Sequence, residues 1–493
     1  MRAGAVSARP GEPLRLPVQP VTAGVTALSV LIGLGLGIGA SRGYDLVSLA
    51  MIFGPLALVF PVASYLWAVS ALCAVVLSRV LVEVGAPGLV NHVHFGMALV
   101  AATRGVISRK PWTPLARQMA MAGGTLLVVA YISGMANDSG LLEPGLTWLL
   151  FMEPFLIVFG LVRDPPSPAA RRRVGHLLVA LLVLQLPFAI WKFLEFGISD
   201  AVRGTFLDQG AGAHVMGAMA LVSATGAILT RHVRNRGWIL AVGGLALLLN
   251  ILADAKQAIG MYIIAIATVG IMNSPRHWPR YVLGLAATVG LVVFAANYHA
   301  PLNQFTDRRL LERGIESKFS VIPLIASQFD APTDWLLGAG PGNTVSRVAL
   351  MALPGYRSEG ISAMPFELHA STITRQVWYE NEIGELTGAG GSSAWSLISS
   401  WVGIWGDLGL LGLALYTLTG LAIWRAGSRL ERSPANSVRI TLMFTSGLGV
   451  VFSYLEEPGL MLAAAAWIGL ACTGPRRRER EAEAGRDARA VGA

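Results

Sequence analysis

The sequence predicts an all-α polytopic membrane protein with about 14 transmembrane helices and one large extracytoplasmic loop. Of the 493 residues, 54% are hydrophobic and only 14% are charged, and the mean hydropathy is +0.58. A soluble domain would carry closer to a quarter charged residues. Apolar runs of about 17–22 residues recur along the chain, and a helix of that length crosses the hydrocarbon core of a bilayer. These observations together exclude an ordinary soluble fold.

The apolar runs locate the predicted spans. The second and third spans form one apolar stretch, which we divide near Pro61. The predicted spans cover about residues 22–40, 46–62, 64–83, 89–104, 118–135, 145–162, 175–194, 214–230, 238–253, 258–273, 281–297, 403–424, 440–455 and 458–473.

The basic residues occur in alternate connections between these spans, and they account for the formal net charge of +9. With the N-terminus inside, the inside connections hold the basic groups at residues 104–117, 163–173, 231–236, 276–280 and 425–439. The opposite connections hold Asp138, Glu143, Glu456 and Glu457. The positive-inside rule explains this charge without a nucleic-acid partner, and it predicts that both termini lie on the cytoplasmic side of the membrane.

The predicted organisation has five parts. They are a cytoplasmic segment (1–21), eleven spans (22–297), an extracytoplasmic loop (298–402), three spans (403–473) and a charged cytoplasmic tail (474–493). The loop is rich in Arg, Glu, Gly, Pro and Ser, with helix-like pieces near 306–328 and 366–386 and Gly-Pro turns near 338–342 and 354–355. We expect this loop to form a lid over the outer ends of the helices.

Arg203 is the first candidate for an anion site. It stands before the glycine-rich connection Gly204–Ala213, and the next predicted helix begins near His214. An arginine beside a helix N-terminus suits a phosphate group, because both present positive charge and N–H donors. The alternative is that Arg203 pairs with Asp200 or Asp208 and only shapes the connection.

Lys256 and a basic cluster at the start of the large loop are further candidates for binding a diphosphate. Lys256 lies in a short outside turn, where its ammonium is a point charge for an anion, or else a partner of Asp254. The basic cluster contains Arg308, Arg309 and Arg313, of which the last two share one face of a predicted helix. Paired with Glu312 and Glu316, these arginines would be an ordinary charged surface.

Several side chains are candidate general bases, a role that requires hydrogen-bonding reach to a hydroxyl group. They are Glu367, His369, Glu380, Glu382, Glu385 and Asp407. The glycine run Gly338–Gly342 lacks the strand, helix and lysine of a P-loop, so a tight turn is the better interpretation. Cys73 and Cys472 lie in apolar runs, so we expect no disulfide framework, and the pattern indicates no metal site and no cofactor.

At four places the chain resembles the O-antigen ligase and O-antigen polymerase superfamily. The places are Arg203-Gly204-Thr205-Phe206, Lys256 at an outside turn, Gly338-x-Gly340-Pro341-Gly342-Asn343 in the large loop, and Asp407-Leu408-Gly409-Leu410-Leu411-Gly412 after it. The resemblance spans about residues 200–425. The chain departs from the family in having Asp208-Gln209-Gly210 after the first motif, and in having no histidine at 392–400, where ligases have one.

The resemblance implies a metal-independent, inverting glycosyl transfer outside a bacterial inner membrane. The implied donor is an oligosaccharide on a polyprenyl diphosphate. Arg203, Lys256 and the arginines at 308, 309 and 313 would bind the diphosphate, with His369 and Asp407 as further catalytic candidates. Membrane lipid and a chain-length regulator or flippase of the same pathway are the implied partners. The missing histidine favours a repeat-unit polymerase over a ligase.

Two other classes of function stay open at this stage. A ligase would move finished glycan to a lipid or protein acceptor. A transporter or flippase of lipid-linked glycan is the non-enzymatic alternative, but many-span transporters usually show repeated halves and charges near the midplane. Here the charges cluster at the outer ends of the spans, and a single large loop breaks any internal symmetry. A scaffold in an envelope assembly complex is the remaining alternative.

Overall fold

The computed structural model describes residues 63–83, 93–140, 142–206, 211–296, 308–353, 368, 370–386 and 398–474. The described part of the chain is 80% helical and contains no strand. Its α-helices are α1 Ser64–Val76, α2 Ser78–Glu83, α3 Val93–Ile107, α4 Pro114–Ala136, α5 Glu143–Arg163, α6 Pro168–Phe196, α7 Ala211–Leu229, α8 Arg236–Leu252, α9 Lys256–Asn273, α10 Trp278–Ala296, α11 Arg308–Ala326, α12 Pro332–Leu337, α13 Arg347–Met351, α14 Thr372–Leu386, α15 Ser400–Gly427, α16 Arg432–Val451 and α17 Pro458–Cys472.

The fold is that of an all-α membrane protein, as the sequence predicts. Six helices, α4 to α7, α9 and α15, are long and apolar enough to cross a membrane. Four shorter apolar helices, α1, α3, α8 and α17, accompany them. The third predicted span is divided between α1 and α2, and each later predicted span overlaps one α-helix of the structure. The first two predicted spans, the N-terminal segment and almost all of the charged tail lie outside the described residues.

Local sequence signals set the helix boundaries. The side chains of Thr113, Ser167 and Asn235 each accept a hydrogen bond from an amide in the first turn of the helix that follows. Such caps satisfy amides that have no partner within the helix. Proline stands among the first residues of α4, α5, α6 and α17, where its missing N–H costs nothing.

The apolar helices pack into one bundle around α5, α7 and α17. The helix α17 is buried along almost its whole length, and its alanines let α5 and α7 approach closely. Trp467 of α17 is among the most completely buried side chains, and it lies against Gly226 of α7. The pairs α3–α5, α4–α15 and α9–α16 complete the bundle.

The connections between helices gather at two opposite ends of the bundle. At one end, Arg163 donates to the Ser108 carbonyl at 2.7 Å, and Arg171 donates to the Thr473 carbonyl at 2.8 Å. We call this the basic end. It comprises the connections 108–113, 164–167, 230–235, 274–277 and 428–431 together with residues 473–474. These are the connections that the sequence predicts to be inside.

We call the other end the lid end. It comprises the connections 137–142, 197–206, 253–255 and 452–457 and the described part of the large loop. Hydrogen bonds join these connections: the Ser199 amide donates to the Leu252 carbonyl at 3.2 Å, and the Gln257 amide group donates to the Tyr454 hydroxyl at 3.1 Å.

The large loop folds onto the lid end through three apolar clusters. In one, Val348 and Met351 of α13 pack against Phe95 and Leu146 of the bundle. The second joins α11 to α14 and to the start of α15, and the third packs α13 against α14 and Ile398. The helices α11 and α14 fall on the helix-like pieces that the sequence predicts in this loop. Burial of these apolar side chains holds the loop on the bundle.

Candidate functional site

Asp407 joins the large loop to the membrane bundle. Its side chain is fully buried near the start of α15. One carboxylate oxygen accepts from the Thr344 amide at 3.0 Å and the Thr344 hydroxyl at 2.6 Å. The other oxygen accepts from the Gly342 amide at 2.8 Å and the Ser346 hydroxyl at 2.5 Å. Four donors to one carboxylate give it the partners that a buried charge requires.

The glycines near Asp407 allow this close contact. Gly338, Gly340 and Gly342 have φ of 81°, 99° and 77°, in the left-handed region that favours glycine. Gly409 has φ of 65° and kinks α15, and a Cβ there would overlap the backbone of Leu336. The Gly338–Gly342 segment is therefore a tight turn whose Gly342 amide already serves Asp407. This arrangement explains both the glycine run and the Asp-Leu-Gly motif.

Arg203 lies at the lid end in a segment that is fixed by hydrogen bonds of Thr205. The Thr205 amide donates to the Gln185 side chain at 3.0 Å, and the Thr205 hydroxyl donates to the Val76 carbonyl. Gly204 has φ of 58°, and a Cβ there would overlap the Gln185 side chain. The Gly-Thr-Phe motif therefore anchors the α6–α7 connection, and Arg203 itself is half-buried.

Arg203 and the turn that carries Lys256 both pack against the first two turns of α7. The Cβ of Arg203 is 3.3 Å from the Cβ position at Gly212, and the Cβ of Ala255 is 3.0 Å from that at Gly217. Gly212 and Gly217 are five residues apart, so the two contacts are separated by roughly 7–8 Å along the helix axis. Lys256 pairs with Asp254 at 2.8 Å and is partly exposed.

His214 lies between these two contacts on α7. Its side chain is 9% exposed, and its Nε2 is 3.5 Å from the carboxylate of Asp200. Its Nδ1 is buried and has no hydrogen-bond partner among the described residues. From the sequence alone, His214 is recognised only as the residue near which a helix begins. Its burial becomes visible only when the α6–α7 connection folds back onto α7.

A second polar cluster joins the large loop to the α16–α17 connection. Arg347 donates from its amide to the Glu456 carboxylate at 2.5 Å and from its guanidinium to Glu457 at 2.8 Å. Glu456 is 2% exposed, and its Oε1 has no hydrogen-bond partner in the described part of the chain. Burial raises the pKa of Glu456 to about 8, and the nearby charge of Asp407 adds to the rise. Glu456 is therefore largely protonated at neutral pH.

Lys318 is the buried cation of the loop itself. It projects from α11, is 8% exposed, and donates to the carbonyl of Ile398 at 2.7 Å and to that of Val451. Burial lowers the pKa of Lys318 to about 7. In the sequence, Lys318 and Arg347 look like ordinary surface charges of a polar loop. Their burial depends on how the loop docks.

The remaining predicted site residues differ in how far the structure describes them. Arg309 is exposed on α11. Arg308 and Arg313 belong to the same helix, and their side chains lie outside the described set. His369 and Glu367 lie outside the described residues, as do the side chains of Glu380, Glu382 and Glu385. The structure therefore brings Arg203 and Lys256 to one helix and assigns Asp407 to a separate position beneath the loop.

The described ranges also contain a buried pair of ionisable side chains that no sequence motif predicts. His94 of α3 and Glu153 of α5 approach to 2.6 Å, with side chains 4% and 2% exposed. Glu153 lies ten residues into α5, roughly 15 Å along the helix axis. Ionisable groups at such depth are rare in membrane helices. In the described part of the chain, no three His, Cys, Asp or Glu side chains form a group that could hold a metal ion.

A scan against protein-family models finds no match to this chain, and a search of curated proteins finds none.

Proposed function

We propose that this protein is a membrane glycosyltransferase that polymerises oligosaccharide repeat units carried on a polyprenyl diphosphate. The observation that carries the proposal is the approach of Arg203 and of the Lys256 turn to the same end of α7. A departing diphosphate needs fixed positive charge, and preorganised cations stabilise the charge that develops in the transition state. The N-terminal end of α7 adds positive potential between the two side chains.

In the proposed reaction, a hydroxyl oxygen of the acceptor sugar attacks the anomeric carbon of the donor from the side opposite the diphosphate. The new C–O bond forms as the bond to the diphosphate oxygen breaks, and the configuration inverts. The hydroxyl proton passes to a general base, and both bonding electrons leave with the diphosphate. His214 has a buried ring nitrogen near the start of α7 and joins His369 as a candidate base.

The attachment of the large loop to the bundle supports its proposed role as a lid over the active site. It is held at two separate points, by Asp407 beneath the glycine turn and by Glu456 and Glu457 at Arg347. We infer that the lid holds the acceptor sugar and keeps out water, which would otherwise hydrolyse the activated donor. The buried position of Asp407 favours a positioning role for this residue over direct contact with substrate.

An apolar crevice offers space for part of the polyprenyl chain. It has a volume of about 170 Å³ and lies among α5, α15, α16 and α17. Trp401, in the first turn of α15, lines the crevice and donates from its indole to the Ser446 carbonyl at 2.7 Å. Because α15 begins at the lid end, a lipid tail in this crevice would start on the same side as Arg203.

The proposal predicts that Arg203→Ala and Lys256→Ala abolish polymer formation while the protein still inserts. Arg375→Ala and Lys192→Ala are matched controls, because Arg375 is exposed and Lys192 pairs with Glu195 at 2.7 Å. The assay is the size profile of the envelope polysaccharide in a strain that lacks the protein and expresses each variant. Activity of purified protein in EDTA tests the metal-independent mechanism.

The same assay separates the alternatives. Single repeat units that accumulate on the lipid carrier, with no long chains, are expected for a polymerase. Long chains that stay on the carrier indicate a ligase. An unchanged profile in the strain without the protein would reject the glycosyltransferase proposal, and so would normal polymer from the Arg203→Ala variant.

A further inference from the structure

A basic cleft opens at the basic end of the bundle, on the opposite side from the proposed active site. Its volume is about 450 Å³, within the range of roughly 300–1,000 Å³ typical of small-molecule sites. The start of α6, the α7–α8 connection, the α15–α16 connection and the end of α17 surround it. Its polar lining consists of Arg171, Arg172, His176, Thr230, Arg231, His232, Arg234 and Glu431.

The charge of this cleft is strongly positive. Among the described residues, four arginines and two histidines line it, and Glu431 is the one carboxylate. Arg231 lies 3.8 Å from Glu431, and the Arg231 side chain is 55% exposed. One carboxylate against four guanidinium groups leaves the described lining with an excess of positive charge. Arg172 and Arg234 are exposed at the mouth.

The deeper wall of the cleft is rigidly built. Arg171 donates to the Thr473 carbonyl at 2.8 Å, which ties α6 to the end of α17. His232 contacts the Thr230 hydroxyl at 2.7 Å through Nδ1, and its ring packs edge-on against Trp467 with a centroid distance of 5.4 Å. A Cβ at Gly175 would overlap the His232 ring, so the glycine makes room for it.

The backbone at Arg231 adopts a left-handed conformation just after α7 ends. Its φ is 62°, in the region where a helix commonly ends with glycine. This turn of the backbone places the Arg231 guanidinium group in the lining of the cleft.

The pKa of His232 is affected by the positive charges around the cleft. Burial lowers the pKa of His232, and the nearby charges of His176, Arg171 and Arg234 lower it further. The contact with the Arg171 carbonyl opposes this shift. Cationic groups that face one another across a cavity repel, and an anion between them relieves that repulsion.

The positive-inside rule is the simplest competing explanation for these arginines. It accounts for their number at this end of the bundle. It does not account for their placement around one cavity, because Arg276 and Arg280 are exposed at the same end and do not line the cleft. The positive-inside rule therefore explains why arginines are numerous at the basic end. It does not explain why four of them surround one cavity.

We propose that this cleft binds a phosphate group, presented either by an anionic lipid headgroup or by a free phosphorylated compound. Guanidinium groups match phosphate oxygens with paired N–H donors, which makes arginine the preferred residue for such sites. Basic pockets between membrane helices are known hosts of lipid phosphates. The proposal does not depend on the glycosyltransferase function, because the two sites share no residue.

The test uses purified full-length protein in an uncharged detergent, with ionic strength held constant by sodium chloride. One arm titrates inorganic diphosphate, and the other titrates short-chain phosphatidylglycerol against short-chain phosphatidylcholine. Binding is measured by the shift in the thermal unfolding midpoint, because a ligand that binds only the folded state stabilises it. Constant ionic strength is needed because salt screens exposed charges.

The key variant is the double substitution Arg172→Gln/Arg234→Gln, and the matched control is Arg276→Gln/Arg280→Gln. We expect the first pair to weaken binding at least about tenfold, since hydrogen bonds to charged groups are worth about 1.5–3 kcal/mol. The control pair should leave binding unchanged. Glu431→Gln should strengthen binding, because it removes the carboxylate that opposes an anion.

The outcomes separate the two sources of the phosphate group. Binding of diphosphate alone indicates a soluble ligand, and binding of phosphatidylglycerol that diphosphate displaces indicates a lipid headgroup in the same cleft. An equal loss in both double variants would show diffuse surface attraction and overturn the proposal. The absence of a shift with either probe would overturn it as well.

Discussion

Replacing Asp407 with asparagine tests the join between the large loop and the membrane bundle. The four groups that face this side chain can all donate, namely the amides of Gly342 and Thr344 and the hydroxyls of Thr344 and Ser346. Asparagine has one oxygen where aspartate has two. In either orientation its NH₂ group faces a backbone N–H, which cannot rotate away as a hydroxyl can.

The expected cost follows from these contacts. An unsatisfied buried donor costs about 1–3 kcal/mol, and a hydrogen bond falls from about 1.5–3 to about 0.5–1.5 kcal/mol when its charge is lost. Burial of the ionised carboxylate also has a cost, and the amide avoids it. We therefore expect a net loss of about 2–4 kcal/mol for docking of the 338–346 turn, a factor of roughly 30–1,000 in its opening equilibrium.

Hydrogen exchange of the full-length protein in detergent measures this opening directly. The amides of Gly342 and Thr344 should exchange faster in Asp407→Asn by that factor, because exchange reports local opening. Asp330→Asn is the matched control, since Asp330 is an exposed aspartate of the same loop. Unchanged protection at residues 342–346 in a correctly inserted Asp407→Asn protein would refute the anchoring role of Asp407.

Two further predictions concern pH and the buried groups beside the lid. Burial raises the pKa of Glu456 to about 8, so the folded state holds a proton that the unfolded chain releases; stability should fall as pH rises from about 4.5 to 8. Glu456→Gln should remove this dependence in thermal unfolding, and an equal slope in both proteins would contradict it. Burial lowers the pKa of Lys318 to about 7, so docking of α11 should strengthen as pH rises from about 7 to 10.5. Exchange rates in α11, corrected for their intrinsic pH dependence, should show this trend and lose it in Lys318→Met; a persistent trend would point to another group.

The lid end shows why some site residues were accessible to sequence reasoning and others were not. Arg203 and Lys256 stand out because positive charge in an outside connection opposes the positive-inside pattern. Glu456 and Lys318 do not stand out, because a glutamate at a helix end and a lysine in a polar loop are ordinary. Their burial comes from contacts with Arg347, Ile398 and Val451, which lie between 80 and 133 residues away in the chain.

The sequence by itself determined the helical membrane class, the positions of most helices and the division into basic and acidic connections. These properties depend on hydropathy and charge over short windows, where each span acts almost independently of the others. It also identified the glycine run as a turn. Such a conclusion is local, because it rests on which residues tolerate a left-handed backbone.

Only the tertiary structure decided which side chains meet. Asp407 reads as a possible general base in the sequence, and it becomes an anchor because the turn at residues 338–346 folds onto it. The basic residues at the start of α6 and in the α7–α8 connection read as a topology signal, and they become a cleft because α6, α7, α16 and α17 come together around them. Packing between distant parts of the chain determines how deeply each charged side chain is buried. That burial decides whether the side chain is an exposed surface charge, a structural anchor or part of a binding site.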